Sequence, residues 1–473
     1  VTTEKRVSLF FWLGLFLTLS VAYFNQGILA LDDYSEGVAR FIPAQNHSFQ
    51  QILETTGIRL PFQALLLLVL SKLAFFLGIV NPTHQLQFVL LVIGASVFSI
   101  QFFCAKRFFR EPRLVCLATF LASFYFILPL VYSRPLIENL AGAFLTLSAY
   151  FASLYWEREQ PRWIAFAVLS IAVSALFRFQ TGICVLGVLL LLALRKDKRG
   201  LLVFALSGVI AFLLTGLLDW TLTGGFHRSL SAYLHYNVSY SSGYGTTPFY
   251  TFFLLFLGLS LPPTFLGLYK GLNWKKAYHP LLPLVFYFLI FLVAHSIVPH
   301  KEERFMIPVL VVFLMLLTPL AGFWIIHPKG RWRVLFFCSL NFLLLPLASF
   351  STPQQNVIGL VQYLNDHPRI QRVHNLKDSL VLIPTAFSLN PFKVEKLEDP
   401  ALLSDDFGGC AEVLAVRQDI LASHPELQSK YETIRNFSPG PLESLLVRLN
   451  PHRNLRRGQI YLFVPLSCKG FYS

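Results

Sequence analysis

The sequence predicts an α-helical polytopic membrane protein that ends in a small α/β domain, and three observations carry that expectation. Apolar residues make up 55% of the chain and charged residues 14%, against about 45–50% and about 25% in soluble domains. Phe alone supplies 47 of the 473 residues, and the mean hydropathy is +0.58. Apolar runs of the length that crosses a bilayer, about 20 residues, recur along the chain and stop near residue 350.

Taken in order, the predicted spans are 7–30, 86–104, 113–131, 138–155, 163–178, 180–194, 201–220, 249–269, 280–298, 305–326 and 333–350. The first follows Lys5-Arg6, is too long for a signal-peptide core and lacks a small-residue cleavage site, so it reads as a signal anchor. The run 62–80 is long enough to span but holds Lys72. Loop charge decides its status. With 62–80 not crossing and the N-terminus cytoplasmic, the cytoplasmic connections carry 18 Lys and Arg and the opposite ones 7. If 62–80 crossed, every later loop would invert and the positive-inside bias would be violated throughout. The expectation is therefore about eleven transmembrane helices plus one re-entrant or interfacial helix, with the tail on the non-cytoplasmic side. The net charge of +14 is read through this topology first, rather than as a sign of nucleic-acid binding.

From residue 351 the chain changes character. Short strand-like runs (Ser379 to Pro384, Glu412 to Val416, Gln459 to Val464) alternate with polar turns and Pro or Gly breaks. Two domains are expected, a membrane domain over 1–350 and an extracytoplasmic α/β domain over 351–473. Four of the six Cys lie in apolar runs, and no CxxC spacing points to a metal site. Cys410 and Cys468 pair if the tail sits in an oxidising compartment and stay free thiols otherwise.

On this topology the unusual polar residues gather on one face. The first outer loop holds Asp32, Asp33 and Glu36, and the next holds Ser133-Arg134-Pro135 with Glu138 and Asn139 following. Arg178 sits between two apolar helices; His227, Asn237 and Tyr244 lie in a long outer connection. Then comes His300-Lys301-Glu302-Glu303-Arg304-Phe305, five ionisable side chains in a row between two apolar runs. Charge so close to hydrocarbon is costly and marks a functional site by default. Arg binds phosphate with a planar fork and Lys as a point charge, adjacent carboxylates supply a general base, and aromatic rings stack on sugars. That set suits glycosyl transfer from a lipid phosphate. Singly, each residue has an ordinary reading: a helix cap for Asp32 and Asp33, snorkelling for Arg178, simple exposure for His227. A polytopic lipid-phosphate flippase or transporter is the alternative, but no internal repeat is visible, and transporters usually show one.

His300 to Phe305 resembles the HKEERF signature of glycosyltransferase family 22, the polyprenyl- or dolichyl-phosphate-mannose-dependent mannosyltransferases of GPI-anchor and lipid-linked oligosaccharide assembly. Weaker matches follow in order: Asp32-Asp33-Tyr34, Ser133-Arg134-Pro135-Leu136-Ile137-Glu138-Asn139, and the stretch from Asp219-Trp220 to Pro248-Phe249-Tyr250. The resemblance covers about residues 20–320. Leu29-Ala30-Leu31 replaces the family's His-Pro before the acidic pair, and Arg178-Phe179-Gln180-Thr181 stands for Arg-Pro-Thr.

The resemblance implies a GT-C fold and an inverting transfer of mannose from polyprenyl-phosphate-mannose to a glycolipid or lipid-linked glycan. Asp33, or its neighbour Asp32, would be the base. His300, Lys301, Arg304, Arg134 and Arg178 would hold the donor phosphate, and Glu36, Glu302, His227, Asn237 and Tyr244 would line the substrate site. Because fixed cations already hold the leaving phosphate, neither a metal nor another cofactor is required. The departures and the valine at position 1 favour a bacterial inner membrane with a periplasmic active face; in a eukaryote the same face is the lumen of the endoplasmic reticulum.

Overall fold

The computed structural model describes residues 2–29, 33–54, 59–240, 243, 245–260, 271–327, 330–380, 382–399, 409–451, 454 and 457–472, leaving aside the side chains of residues 33 and 36. They form two compact units. One takes in 1–22, 48–67 and 90–346; the other takes in 23–47, 68–89 and 347–473.

The first unit is helical. Among the described residues of the chain, six stretches are long and apolar enough to cross a membrane: Thr3–Phe24, Pro82–Arg107, Lys198–Thr223, Trp274–Ile297, Glu303–Ile326 and Arg331–Asp366. The other expected spans are shorter or divided. The run 113–131 breaks between the helices Pro112–Phe124 and Leu128–Ser133. The helix Arg162–Phe177 is followed by a 3₁₀ segment Phe179–Cys184 and a helix Val185–Arg195. Ile137–Arg158 has 22 residues but opens with Glu138 and closes with Arg158. The expected span 249–269 is described as the helix Thr251–Leu259, and its second half lies outside the described residues. Phe62–Phe76 is a 15-residue helix.

Small residues let the central helices approach closely, as in other membrane bundles. Ser148 Oγ donates to Ala167 O and Ser174 Oγ to Ala141 O, each at 2.8 Å, tying Ile137–Arg158 to Arg162–Phe177. The Tyr287 hydroxyl lies 2.6 Å from Ser148 Oγ and brings in the helix Leu282–Ile297. Lys198–Thr223 starts at Asp197, whose carboxylate accepts from Gly200 N at 3.0 Å, and stops at Gly224, where φ is +76°. That helix exposes Leu202, Val209, Leu214 and Trp220, a surface suited to lipid.

The second unit contains a five-stranded mixed sheet. The strands are β1 Arg372–Leu376, β2 Lys393–Leu397, β3 Glu412–Arg417, β4 Tyr431–Phe437 and β5 Ile460–Pro465, in the order β2-β1-β3-β5-β4. β1 pairs in parallel with β2 and β3; β5 runs antiparallel to β3 and β4. Val373, Val413, Leu462 and Val464 face Val357, Leu360 and Leu364 of the helix Gln355–Asp366. Leu414, Val416 and Phe463 form the other core with Ile420 and Leu427. Cys410 and Cys468 are joined in a disulfide.

Two expectations are corrected. The first helix ends at Phe24 rather than at residue 30. Asn25 leaves it to donate its amide to Ser349 O at 2.8 Å, and Gly27 comes against Pro353 where no Cβ fits. The run Ser379 to Pro384 is not a strand among its described residues: Asn375 exchanges hydrogen bonds with the backbone of Leu380, and Lys377 and Asp378 hold left-handed φ values of 46° and 51°. That turn uses the groups a strand ladder would need.

Candidate active site

The hexapeptide His300 to Phe305, which carries charge of both signs, runs into a 3₁₀ segment, Glu303–Val309, which packs on the helix Ile137–Arg158. Gly142 makes this possible. A Cβ there would lie 2.9 Å from Pro308 Cα, so only glycine admits the segment at this distance.

Within the hexapeptide, Glu302 bridges its neighbours. Its Oε1 lies 3.0 Å from His300 Nε2, and its Oε2 accepts from Arg304 Nε at 2.8 Å. The Phe305 ring carries two guanidinium groups, Arg178 at 4.6 Å and Arg304 at 5.8 Å. Arg178 donates through Nη1 to Glu138 Oε1, and both side chains are almost fully buried. A chain of contacts thus runs from Glu138 through Arg178, Phe305 and Arg304 to Glu302 and His300. It concentrates cationic side chains around one aromatic ring.

Lys301 points elsewhere. Its Nζ donates to Val298 O at 2.6 Å and Thr247 O at 3.1 Å, committing two of its three donors. Removal from water pushes its ammonium below the ordinary lysine value. Thr247 N in turn donates to Pro299 O at 3.0 Å, so the loop before Thr251–Leu259 is stitched to the hexapeptide.

Arg134 caps the helix Leu128–Ser133 and is 2% exposed. Asn139 holds its turn by donating to Tyr132 O at 3.0 Å and Arg134 O at 2.8 Å, and Gln63 donates to Pro135 O. Burial pushes the guanidinium down to about 9, which leaves it charged at neutral pH.

The segment with Asp33 belongs to the second unit. Asp33–Gly37 forms a single wide helical turn. Tyr34 anchors it, its hydroxyl accepting from Ala386 N at 2.8 Å and its ring meeting Phe387 edge-on. Ten residues on, Ala44 is held by Lys72 Nζ at 3.0 Å and Gln85 Oε1 at 2.8 Å. Asp32 and Tyr244 lie outside the described residues, as do the side chains of Asp33 and Glu36.

The structure therefore brings together His300, Glu302, Arg304 and Arg178, with Lys301 on the same loop. His227 and Asn237 find their described partners elsewhere. His227 Nε2 lies 2.9 Å from Phe212 O and its ring packs on Phe212; Asn237 donates to Tyr233 O one turn back at 2.7 Å. Asp219, half of a matched pair in the sequence, caps the helix Arg228–Tyr240 through Ser229 N at 2.8 Å. Sequence reasoning gave no role to Glu138, Phe305, Gly142 or Asn139. Glu138 carried a signal, as an acid at the start of an apolar helix; Asn139 and Phe305 stood within matched motifs without a role, and Gly142 becomes visible only through its approach to Pro308.

The fold is that of membrane glycosyltransferases of the GT-C type. ArnT from Cupriavidus metallidurans in the apo state superposes with a TM-score of 0.57 over 97% of this chain and 98% of that one, at 10% identity. The same protein bound to undecaprenyl phosphate gives 0.53 over 96% and 97%, also at 10% identity. Residues 54–388 match the model of the Alg9-like mannosyltransferase family, and the chain belongs to that family. The Dol-P-Man:Man(7)GlcNAc(2)-PP-Dol alpha-1,6-mannosyltransferase of Drosophila melanogaster is 28% identical over 259 residues. That match takes in 52% of this chain and 36% of the fly protein.

Proposed function

We propose that the protein is an inverting mannosyltransferase. It moves mannose from a polyprenyl-phosphate-mannose donor to a glycolipid or lipid-linked glycan on the non-cytoplasmic face of the membrane. The observation that carries this reading is the set of cations on the hexapeptide loop and Arg178, gathered about Phe305 in a chain of the Alg9-like family. The fly relative's name, with its dolichyl-phosphate-mannose donor, supports the donor class. Undecaprenyl phosphate on ArnT supports a prenyl phosphate as the group the scaffold accommodates.

In the proposed step the acceptor hydroxyl attacks C1 of mannose and gives its proton to Asp33 or Asp32. The bond from C1 to the phosphate oxygen breaks, and its electron pair leaves with the prenyl phosphate. Proton removal by a positioned carboxylate is worth about 10²–10⁴ in rate. Lys301, Arg304 and Arg178, with Arg134 and His300, stabilise the charge that develops on the phosphate; preorganised charge of this kind is usually the largest contribution. Glu302 sets the directions of His300 and Arg304. Eleven crossings, an outward-facing tail and an oxidised Cys410–Cys468 pair are mutually consistent, because disulfides persist outside the reducing cytoplasm.

The test is direct. Purified protein in lipid, given polyprenyl-phosphate-mannose and lipid-linked acceptors, transfers mannose, and Asp32→Asn or Asp33→Asn removes the transfer. Movement of the donor lipid across the bilayer with no transfer by the unaltered protein would favour a flippase instead.

A further inference from the structure

Outside the cationic cluster, the second unit holds a groove of about 500 Å³, within the range of about 300–1,000 Å³ typical of ligand sites. One wall is a stripe along the helix Gln355–Asp366: Gln355, Ile358, Gly359, Gln362, Tyr363 and Asp366. Spacings of three and four residues put these on one face. The helix's other stripe (Val357, Leu360, Val361, Leu364) is buried in the sheet core, while Gln355, Gln362 and Asp366 of the groove-facing side are exposed. The opposite wall is the end of β4, from Arg435 to Ser438, and the rim includes Phe24 and Gln26.

The lining selects a ligand class. Two or more side-chain amides offer donors and acceptors together, the pattern that hydroxyl-rich ligands need. Asp366 and Arg435 give the lining one charge of each sign, a single carboxylate is a poor metal site, and the polar walls do not suit an acyl chain. The Tyr363 hydroxyl is buried and makes no hydrogen bond among the described residues. Its ring is fixed by stacking on His367 at 3.9 Å and by an edge contact with Phe437 at 5.8 Å. At Gly359 a Cβ would come within 3.4 Å of Phe437, so glycine keeps the groove deep. Tyr23 and Phe24, large and exposed at the end of the first apolar helix, are what an aromatic belt places at the membrane–water boundary.

Resting on the mannosyltransferase reading, we infer that this groove binds the glycan of the lipid-linked acceptor. The probes are α-mannotriose for the acceptor glycan and mannose 1-phosphate for the donor head, titrated against the full chain in lipid nanodiscs. Gln362→Ala, Asp366→Ala and Ser438→Trp alter exposed groove positions. Mannotriose should bind the unaltered protein and lose roughly tenfold in affinity in each variant, about the effect of one hydrogen bond to the sugar. The acceptor KM should rise by a similar factor, with kcat and the donor KM unchanged. Absence of mannotriose binding, or an unchanged acceptor KM in an enzyme that still transfers mannose, overturns the inference and leaves the proposed reaction standing. Displacement of mannotriose by mannose 1-phosphate assigns the groove to the donor and also overturns it. Groove-dependent mannotriose binding in a protein that transfers nothing supports the groove and removes the reaction.

Discussion

Lys301 differs from the other cations of the loop in how it is held. Arg304 and Arg178 have carboxylate partners, whereas Lys301 rests on two carbonyl oxygens and is 9% exposed. Burial without an anionic partner disfavours the ammonium, which is why its pKa is lowered. The sign follows: as pH rises, Lys301 becomes neutral earlier than an exposed lysine would, and on the proposed reading its charge is then lost to the donor phosphate. Transfer should therefore decline on the alkaline side. Lys301→Arg should extend activity to higher pH, because guanidinium stays charged. Lys301→Met should lower kcat about 100-fold at neutral pH, the scale of one lost electrostatic stabiliser. A pH–rate profile unchanged by Lys301→Arg would remove Lys301 from the phosphate site. The Glu138–Arg178 pair offers a second check. Removing one member of a buried ion pair typically costs roughly 3–5 kcal/mol, so Glu138→Ala should unfold at clearly lower denaturant. Glu138→Ala/Arg178→Leu should recover part of that loss; full additivity of the two single changes would mean the pair is not coupled.

At the scale of elements, the hexapeptide loop depends on the close approach of Glu303–Val309 to Ile137–Arg158. Gly142→Val would force Pro308 away, since even a Cβ is too close. A displacement near 1 Å at a reacting site costs on the order of 100-fold, so transfer should fall by about that factor. Gly208→Val is the control, because nothing lies within 4 Å of a Cβ there. Equal loss in both variants would trace the effect to general packing. The same elements mark what the sequence made legible. The apolar runs announced their helices because bilayer length leaves a run that composition reveals. The break at Tyr125–Ile127 did not show, since the residues there are as apolar as their neighbours, whereas the segment Phe179–Cys184 falls where the sequence already divides two runs beside Arg178. β3 and β5 were legible as buried apolar runs. β2 was not, because Lys393–Leu397 is an exposed edge strand with charge on it; nor was β4, where Glu432, Arg435 and Asn436 interrupt the pattern. The hexapeptide stood out by its composition. Its partners Gly142 and Thr247 did not, because separations of 54 residues or more hide contact from any local pattern. Glu138 showed as an acid opening an apolar helix, but its pairing with Arg178, 40 residues on, did not.

For the whole molecule, the disulfide and the membrane topology make one joint prediction. Cys410 and Cys468 lie 58 residues apart in sequence and are bonded across the end of the sheet, Cys410 just before β3 and Cys468 just after β5. A cross-link closing a loop of that length restricts the unfolded chain by roughly 4 kcal/mol in the chain-entropy model. Cys410→Ser should therefore lower the stability of the tail measurably. It should leave the membrane helices assembled, because no residue of the first unit takes part in the bond. The bond also depends on location. If the tail lies outside the cytoplasm, Cys410 and Cys468 resist alkylation in intact cells until a reductant is added, whereas buried Cys104 and Cys184 resist it until the protein is unfolded. A reporter that is active only outside the cytoplasm, joined after Ser351, should be active in the same cells. Positive-inside counting and disulfide chemistry are independent arguments, one resting on Lys and Arg in short loops and the other on redox poise. A silent reporter, together with two free thiols, would reverse the tail and require an even number of crossings. The hexapeptide loop would then have to be placed anew, because its assigned face follows from the same count.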